Sequence, residues 1–350
     1  MIHYRLATND DNQQLIELTS ASGMTGDIAL RIDRKPDFFK LLNMRGESKV
    51  FVALDGDRIV GSICVSQEEV YVAGEIHTLQ YFGDFKIAES YRNKFIGFRL
   101  CESLEKHVLA IGADLAFLNY AKGNNKPVRF LSNRPNIPDF ENLGVFNIHQ
   151  FIGKKKKTYH PKYEIIPGNV TDDLLTFLNN HFKNYELANV ITPEKLENTS
   201  VFTVQVNGKI IAALCLQDTM NVKQNVVTAV TWKMKYLLKI LNSLNSILGL
   251  SKMPELNKPV YMIYIKYLAV RNNEKSLVRL LIGHARNIAY KKSYSFVSIG
   301  VHEKDPINNC FSGLFKMTFN SAGMVLSLKN NKSLIEKVKH GIPFADYSVV

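Results

Sequence analysis

The sequence predicts an α/β protein of the α+β type, in which helices flank a mixed β-sheet. Two observations lead to this fold class. Apolar strands alternate along the chain with segments whose apolar residues recur at helical spacing. A unit of strand, tight turn, helix and strand also occurs twice in the same order. We therefore expect two tandem domains of one fold, residues 1–155 and 160–350.

The first copy of the unit is organised around residues 87–97. Residues 78–87 have the pattern of a strand, and apolar residues then recur at helical spacing from Gly97 until Gly112, which is placed to stop a helix. Residues 115–118 follow as a buried strand. A turn that opens a helix presents backbone N–H groups and the positive end of the helix dipole, so this turn suits a phosphate group.

The second copy keeps the order of the first. Residues 261–270 predict a strand, residues 271–276 a turn and residues 277–288 a helix. Arg271 corresponds to Arg92 at an offset of 179 residues. A hairpin precedes each unit, and its matched residues lie 151 positions apart: Phe51 and Phe202, Ile59 and Ile210, Cys64 and Cys215.

The second copy also contains an insertion. Cys64 and Arg92 are 28 positions apart, whereas Cys215 and Arg271 are 56 apart, so 28 residues are added. Most of them lie near residues 231–250, where apolar residues form a helical face: Leu237, Leu241, Leu244 and Leu248. We expect a helix that buries this face against its own domain. A dimer contact or a lid over a groove is the alternative.

Composition limits the partners and the compartment. The net charge of +12 favours a polyanionic partner: nucleic acid, an anionic membrane or a phosphate-rich cofactor. The run Lys154–Lys157 fits a solvated linker between the domains or a phosphate contact. Four scattered cysteines, without a CxxC pair or zinc spacing, predict a reducing compartment and no metal. The chain has no apolar leader and no run long enough for a membrane span, so we expect a cytoplasmic protein without a membrane partner.

The order of strand, helices, hairpin, strand, turn, helix and strand resembles the GNAT superfamily of acyl-CoA N-acyltransferases. The turn motif of that family is Gln/Arg-x-x-Gly-x-Gly/Ala, often with a Tyr before the Arg. Tyr91, Arg92 and Gly97 match it, whereas Phe95 stands where the family has Gly. The resemblance covers nearly the whole chain as two tandem domains.

The resemblance implies that the turn of the first domain binds the pyrophosphate of acetyl-CoA or another acyl-CoA through backbone N–H groups. It also implies that residues 85–88 of the central strand offer a backbone N–H to the thioester oxygen. The cofactor-binding residues would be Phe85, Ile87, Ala88, Arg92, Asn93, Lys94, Phe95, Ile96, Gly97 and Asn124.

The second turn fits a phosphate less well. It keeps Arg271 but has Glu274 and Ser276 at the glycine positions, and Glu274 adds a negative charge. Val270 and Arg271 are the secondary cofactor candidates. His302 and Glu303, which follow the next strand, could do acid–base work or simply belong to a polar loop.

Catalytic residues are weakly indicated in the first domain. Asp84 is the candidate base for the amine, with an equal alternative as a turn residue that accepts backbone hydrogen bonds. The family's acid is commonly a Tyr seven residues after an Asn. Counting from Asn124 leads to Leu131, so Tyr120 on the strand is the fallback. The missing Tyr argues against ordinary catalysis in this domain.

We therefore expect an N-acyltransferase, with acetyl-CoA as the first choice of donor and a small-molecule or peptide amine as acceptor. Two alternatives stay open. An aminoacyl-tRNA-dependent transferase also uses tandem domains of this fold, and the positive charge suits tRNA, although no aromatic–basic stripe marks a nucleic-acid surface. A non-catalytic pair of domains could bind acyl-CoA or a protein partner. The acceptor and the oligomeric state are left open.

Overall fold

The computed structural model describes residues 1–24, 28–92, 95–124, 131–132, 136, 138–155 and 160–350. The strands of this part are β1 (Ile2–Leu6), β2 (Gly23–Met24), β3 (Ile28–Asp33), β4 (Glu47–Asp55), β5 (Arg58–Val72), β6 (Glu75–Ile87), β7 (Leu115–Ala121), β8 (Glu141–Ile152), β9 (Ile166–Gly168), β10 (Ala188–Asn189), β11 (Thr199–Val206), β12 (Lys209–Asp218), β13 (Gln224–Val230), β14 (Met262–Val270), β15 (Phe296–His302) and β16 (Lys316–Ser327). The helices are α1 (Asn12–Ser20), α2 (Phe38–Arg45), α3 (Ile96–Ile111), α4 (Asp172–Phe182), α5 (Trp232–Leu248), α6 (Lys275–Lys291) and α7 (Lys332–His340).

Among the described residues, one 13-stranded mixed sheet runs through both halves of the chain. Its order is β1-β4-β5-β6-β7-β16-β8-β15-β14-β12-β11-β9, and β10 pairs with β5 beside this path. A smaller sheet contains β13, β3 and β2, and therefore joins the insertion of the second half to the first half. The expected α/β class with a mixed sheet is confirmed.

The two halves repeat one another down to the register of their hairpins. Val50 opposes Cys64 in the pair β4–β5, and Val201 opposes Cys215 in the pair β11–β12. The offset of 151 read from the sequence is thus the offset of the paired residues. In both halves the central strand then leads through a 3-10 turn and a helix to a parallel strand, β7 or β15.

The halves also exchange strands at the centre of the sheet. β16, from the end of the chain, lies between β7 and β8 and is antiparallel to both. β8 in turn pairs with β15 of the second half. The apolar cluster that packs on these central strands contains residues from both halves, including Phe117, Phe146 and Val325. Each half therefore completes the sheet and the core of the other.

Helices cover both faces of the sheet in each half. In the first half, α1 and α2 pack on one face of β4 and β5, and α3 packs on the other face. The approach of α3 is close, since a Cβ at Gly61 of β5 would lie 3.0 Å from Leu100 Cδ1. In the second half, α4 and α6 occupy the corresponding faces. This three-layer arrangement places the parallel pairs β6–β7 and β14–β15 between layers of helices.

The insertion is a helix, as expected, but it buries a different face. The helix α5 packs through Leu238, with Met234 and Leu241 beside it, onto a cluster that includes Met253. Of the four leucines expected inside, only Leu241 contributes to this contact; the other three are exposed: Leu237, Leu244 and Leu248. That part of the prediction is wrong, because apolar residues cover more than half of the circumference of α5 and their spacing does not say which side meets the core.

The strand exchange leads to a prediction about Gly323 in β16. A Cβ at this position would lie 2.7 Å from Phe146 Cε2 and 3.2 Å from Phe117 Cε2, in rings that the core holds in place. We expect Gly323→Ala to lower the free energy of unfolding by about 2 kcal/mol, because the added methyl group would overpack the core beside β16. Urea unfolding followed by circular dichroism measures it.

Gly23→Ala is the matched control for this prediction. Its Cβ would meet only Leu30 O at 3.8 Å, so we expect little change in stability. Equal midpoints for Gly323→Ala and wild type would show that the two halves are not packed tightly at β16.

Candidate functional site

The central strands of both halves separate from their parallel neighbours. β6 and β7 pair from Leu79 and Leu115 as far as Phe82 and Leu118, and beyond that point both strands continue without pairing with each other. We call this gap the first opening. β14 and β15 likewise pair only as far as Tyr264 and Ser298, which leaves a second opening.

A β-bulge lies at the first opening. Ser62 of β5 opposes Lys86 of β6, but Cys64 opposes Gly83, so that Asp84 and Phe85 together face one residue of β5. Asp84 adopts a left-handed conformation with φ of 50°. Bulges of this kind re-aim the backbone and are frequent beside active sites.

Two arginines hold the carboxylate of Asp84. Arg34 Nη2 donates to Oδ1 at 2.6 Å, and Arg45 Nη1 donates to Oδ2 at 3.2 Å. Burial alone raises the pKa of Asp84, but the two guanidinium groups outweigh this effect and hold the pKa well below its usual range. A carboxylate of such low proton affinity is a poor base. Asp84 does lie in a bulge, as in the second interpretation, but its carboxylate accepts from two arginine side chains rather than from backbone donors.

The turn from β6 to α3 has the backbone conformation that its motif requires. Phe95 occupies the position of a family glycine, and it adopts the left-handed conformation, with φ of 54°, that glycine favours. Its side chain is 76% exposed and points away from the core. Ile96 and Gly97 begin α3 and are buried. Asn93 and Lys94, also predicted to bind the cofactor, lie outside the described residues.

Side chains fix the start of this turn. Tyr91 OH donates to Asp55 Oδ2 at 2.7 Å, which ties the turn to the β4–β5 hairpin. Arg92 is exposed and lies 3.6 Å from Glu89 Oε1, a weak pair that leaves its guanidinium in solvent. The backbone N–H of Ala88 donates to Val60 O at 2.8 Å, so Ala88 continues the pairing with β5. The first turn of α3, with the helix dipole behind it, fits a pyrophosphate group.

In the corresponding turn of the second half, a carboxylate side chain of the protein supplies a negative charge. Glu274 is the residue before α6, and its carboxylate accepts hydrogen bonds from Ser276 Oγ and from Tyr163 OH. The negative charge thus lies where the positive end of the helix dipole is directed. A phosphate at α6 would meet this carboxylate, as the sequence predicted. Val270 is fully buried in the core of this half.

Residues near the end of the chain cover the second opening. Lys266, at an irregularity between β12 and β14, pairs with Asp346 Oδ2 at 3.6 Å. The ring of Phe344 stacks on Tyr267 with centroids 6.1 Å apart. Tyr347 lies directly on β15, since a Cβ at Gly300 would be 1.9 Å from its ring. The second opening is therefore filled by the chain.

A pocket remains at the first opening, on the face of the sheet opposite α3. It is small, with a cavity volume of about 30 Å³, and most of the residues that line it are buried. Tyr81 and Phe117 oppose one another just before β6 and β7 separate, and Asn119 lies just beyond. The other lining residues are Arg45, Glu68, Leu79, Leu187, Asn189, Phe344, Ala345, Asp346, Val349 and Val350.

The polar residues of this pocket are not indicated by any motif in the sequence. Glu68 is paired with Lys195 at 2.7 Å, and Asn189 comes from the short strand β10 of the second half. Asp346 comes from the covering segment described above. These residues are far apart along the chain and share no motif. Only the alternation of β7, which puts Phe117 and Asn119 on one face, was a usable signal.

The remaining first-half candidates do not meet in this pocket. Tyr120 packs on the α3 side of the sheet, opposite the pocket, and its carbonyl accepts from Ser321 Oγ at 3.0 Å. Asn124 is exposed after β7, and its N–H donates to Ala121 O. Leu131, at the position expected for a Tyr, is buried in the same core as Tyr120.

His302 and Glu303 make hydrogen bonds that connect the end of β15 with β8. His302 Nδ1 accepts from the N–H of Lys304, so Nε2 carries the proton and donates to Leu143 O at 2.7 Å. Burial lowers the pKa of His302, and the imidazole is neutral. Glu303 Oε1 accepts from Val145 N at 2.9 Å. The structure thus gives both residues structural contacts in the polar loop and does not bring them to either opening.

In the described parts of the chain, no cluster of His, Cys, Asp or Glu side chains has the arrangement of a metal site. None of the described helices combines the length and the apolar character that crossing a bilayer requires.

Comparisons with known proteins agree with this geometry. Residues 13–133 match the model of the "Acetyltransferase (GNAT) family". No curated protein sequence matches the chain significantly.

Among solved structures, the fold is shared with N-myristoyltransferase of Saccharomyces cerevisiae with bound myristoyl-CoA, at a TM-score of 0.61, 10% identity and coverage of 93% of this chain and 78% of that one. It is also shared with GCN5-related N-acetyltransferases from Anabaena variabilis (TM-score 0.53, 10% identity, 93% and 72% covered) and Kribbella flavida (TM-score 0.53, 11% identity, 93% and 70% covered). The motif turn and the separated strands of the first half lie within residues 13–133, which match the GNAT family model, and the chain as a whole shares the fold of these acyltransferase structures.

Proposed function

We propose that the protein is an N-acyltransferase that uses acetyl-CoA or another acyl-CoA, and that its first half carries the active site. The observation that carries this proposal is the first opening, which has a bulge on one strand and an accessible helix N-terminus at its end. The family match over residues 13–133 covers the same part of the chain. The second half repeats the fold, but Glu274 and the segment around Asp346 occupy the equivalent positions.

The two sides of the first opening would receive different molecules. On the α3 side, the backbone from Arg92 to Gly97 would hold the pyrophosphate of the cofactor. Acyl-CoA would supply the acyl group as a thioester that an amine can attack. We place the backbone that polarises the thioester carbonyl at the bulge of Asp84 and Phe85.

The acceptor would approach from the opposite face of the sheet, where the small pocket lies beside the separated strands. Its walls carry the carboxylates of Glu68 and Asp346, each already paired with a lysine, so we expect hydrogen bonds rather than net charge to orient the acceptor. Asn119 and Asn189 add amide groups that can orient such an acceptor. During transfer, the amine nitrogen in its neutral form bonds to the acyl carbon, the carbon–sulfur bond breaks, and the proton lost by the nitrogen is balanced by protonation of the departing CoA thiolate, which leaves as the thiol.

The main test is a pair of matched substitutions in the two helix-opening turns. Gly97 and Ser276 are separated by the offset of 179 that relates the two turns. We expect Gly97→Val to lower CoA affinity at least tenfold, because a branched side chain would obstruct the approach of the pyrophosphate to the backbone. Ser276→Val should leave the affinity unchanged. Calorimetric titration of CoA measures both, with thermal melts to verify folding.

Arg271→Glu serves as a second control, because Arg271 is the motif residue that the second turn retains. A loss of CoA binding in Arg271→Glu alone would move the cofactor to the second half. Absence of binding by the folded wild-type protein would contradict the proposal and favour a non-catalytic pair of domains.

Asp84→Asn tests whether this residue holds the bulge. The change leaves two buried guanidinium groups without a carboxylate, so we expect the free energy of unfolding to fall by about 3 kcal/mol. Because the folded-state pKa of Asp84 is depressed, its stabilising effect is present above the unfolded pKa of about 4 and is lost as the pH falls through the folded pKa. The difference in the free energy of unfolding between wild type and variant should therefore narrow as the pH is lowered below the unfolded pKa.

Asp57→Asn, in the exposed turn of the first hairpin, is the control for Asp84→Asn and should change stability by less than about 0.5 kcal/mol. Acyl transfer measured per folded molecule should be only moderately reduced in Asp84→Asn. Full stability combined with complete loss of transfer would show that Asp84 is the base after all.

Phe95→Gly tests the strained position in the motif turn. The left-handed conformation costs a non-glycine residue about 1 kcal/mol, and the exposed ring of Phe95 provides little packing in return. We expect the variant to be slightly more stable than wild type and to bind CoA at least as tightly. Denaturant unfolding and calorimetry measure this. Weaker CoA binding would show instead that the Phe95 ring contacts the cofactor.

A further inference from the structure

The helix α5 presents a continuous apolar surface to solvent. Five residues at helical spacing form this surface, which we call the α5 face: Trp232, Tyr236, Ile240, Leu244 and Ile247. Trp232 is 76% exposed, Tyr236 66% and Ile247 78%. Exposed apolar patches of this extent mark interaction sites in soluble proteins.

The exposure is not the result of a loosely attached helix. The opposite side of α5 packs through Leu238 against the apolar cluster of the second half, and Asn242 Oδ1 accepts from Met253 N at 2.7 Å. The helix is therefore fixed in orientation, and the α5 face is held outward.

Basic residues surround the α5 face. The helix carries Lys233, Lys235 and Lys239 and contains no Asp or Glu. At its other end, Lys155 N donates to Gly249 O at 2.7 Å, which brings the start of the Lys154–Lys157 run beside the helix. Lys252 is exposed just beyond. The nearest acidic residue in sequence, Glu255, is paired with Lys258 at 2.6 Å.

We propose that the α5 face binds the surface of an anionic membrane, with the helix parallel to the bilayer. An apolar face with Trp and Tyr, bordered by lysines, has the composition of interfacial helices. The lysines at both ends complement anionic headgroups. This contact does not require a span. It departs from the sequence-based expectation of no membrane partner, and it agrees with an anionic membrane as one of the partners that the net charge favours.

Charge argues against a second copy of the chain as the occupant. In a two-fold pairing of antiparallel α5 helices, the lysines at the start of one helix would face Lys154, Lys155 and Lys252 at the end of the other. Like charges would then meet at both ends of the contact. An anionic lipid surface removes this repulsion.

The chain provides its own probe, because Trp232 is its only tryptophan. The full-length protein is mixed with phosphatidylcholine vesicles with and without phosphatidylserine. We expect a blue shift of tryptophan emission and co-sedimentation with the phosphatidylserine vesicles only, both weakened by added salt. No shift and no co-sedimentation with anionic vesicles would overturn the proposal.

Two double variants, each with a matched control, identify the surface. Ile240→Ser with Ile247→Ser should reduce co-sedimentation at least tenfold, whereas Leu256→Ser with Phe315→Ser, at exposed apolar residues elsewhere, should not. Lys235→Glu with Lys239→Glu should abolish binding, whereas the equal charge change Lys291→Glu with Lys292→Glu, at the end of α6, should reduce it only moderately.

Unchanged thermal melts and CoA titrations would show that these variants remain folded and that membrane binding is separate from cofactor binding. Light scattering without vesicles tests whether the α5 face instead mediates dimerisation. A dimer in wild type that becomes a monomer in the Ile240 and Ile247 double variant would assign the α5 face to a second copy and overturn the proposal.

Discussion

The pairing of β16 with both β7 and β8 is the constraint on which the rest of the structure depends. Backbone N–H and C=O groups along a buried strand edge need partners. β7 finds them in a strand from the far end of the chain, and β8 finds them in β16 and in β15 of the second half. The two halves therefore share one hydrogen-bonded sheet. This fixes the position of the second half, from which β10 and the covering segment form part of the pocket at the first opening.

Duplication of the fold has not produced two equivalent sites. Each half has separated parallel strands and a helix that begins beside them. In the second half, Glu274 neutralises the helix terminus and Lys266 pairs with Asp346 across the opening. In the part of the chain that the structure describes, the same backbone thus leaves a helix N-terminus without a carboxylate of the chain in one copy and places the chain's own side chains there in the other. Local charge decides between these outcomes.

At the bulge, electrostatics and backbone strain depend on each other. Asp84 and its two arginines are buried, and removing three charges from water is costly unless they are paired. The pairing in turn holds Asp84 in its left-handed conformation and keeps β6 out of register with β5. A residue that looked like a base from its place in the sequence therefore has a structural explanation. The chemistry of a carboxylate depends on neighbours that its own sequence segment does not contain.

The sequence by itself determined the local elements: the hairpins with their offset of 151, the helix that ends before Gly112 and the turn motif around Arg92. Periodicity and turn residues encode these features within short stretches. Tertiary structure alone decided the strand exchange, the partners of Asp84, the pocket around Asn119 and the outward orientation of Ile240. Each of these depends on contacts between residues far apart in the chain, and an apolar pattern that covers most of a helix, as in α5, does not state which side the core will take.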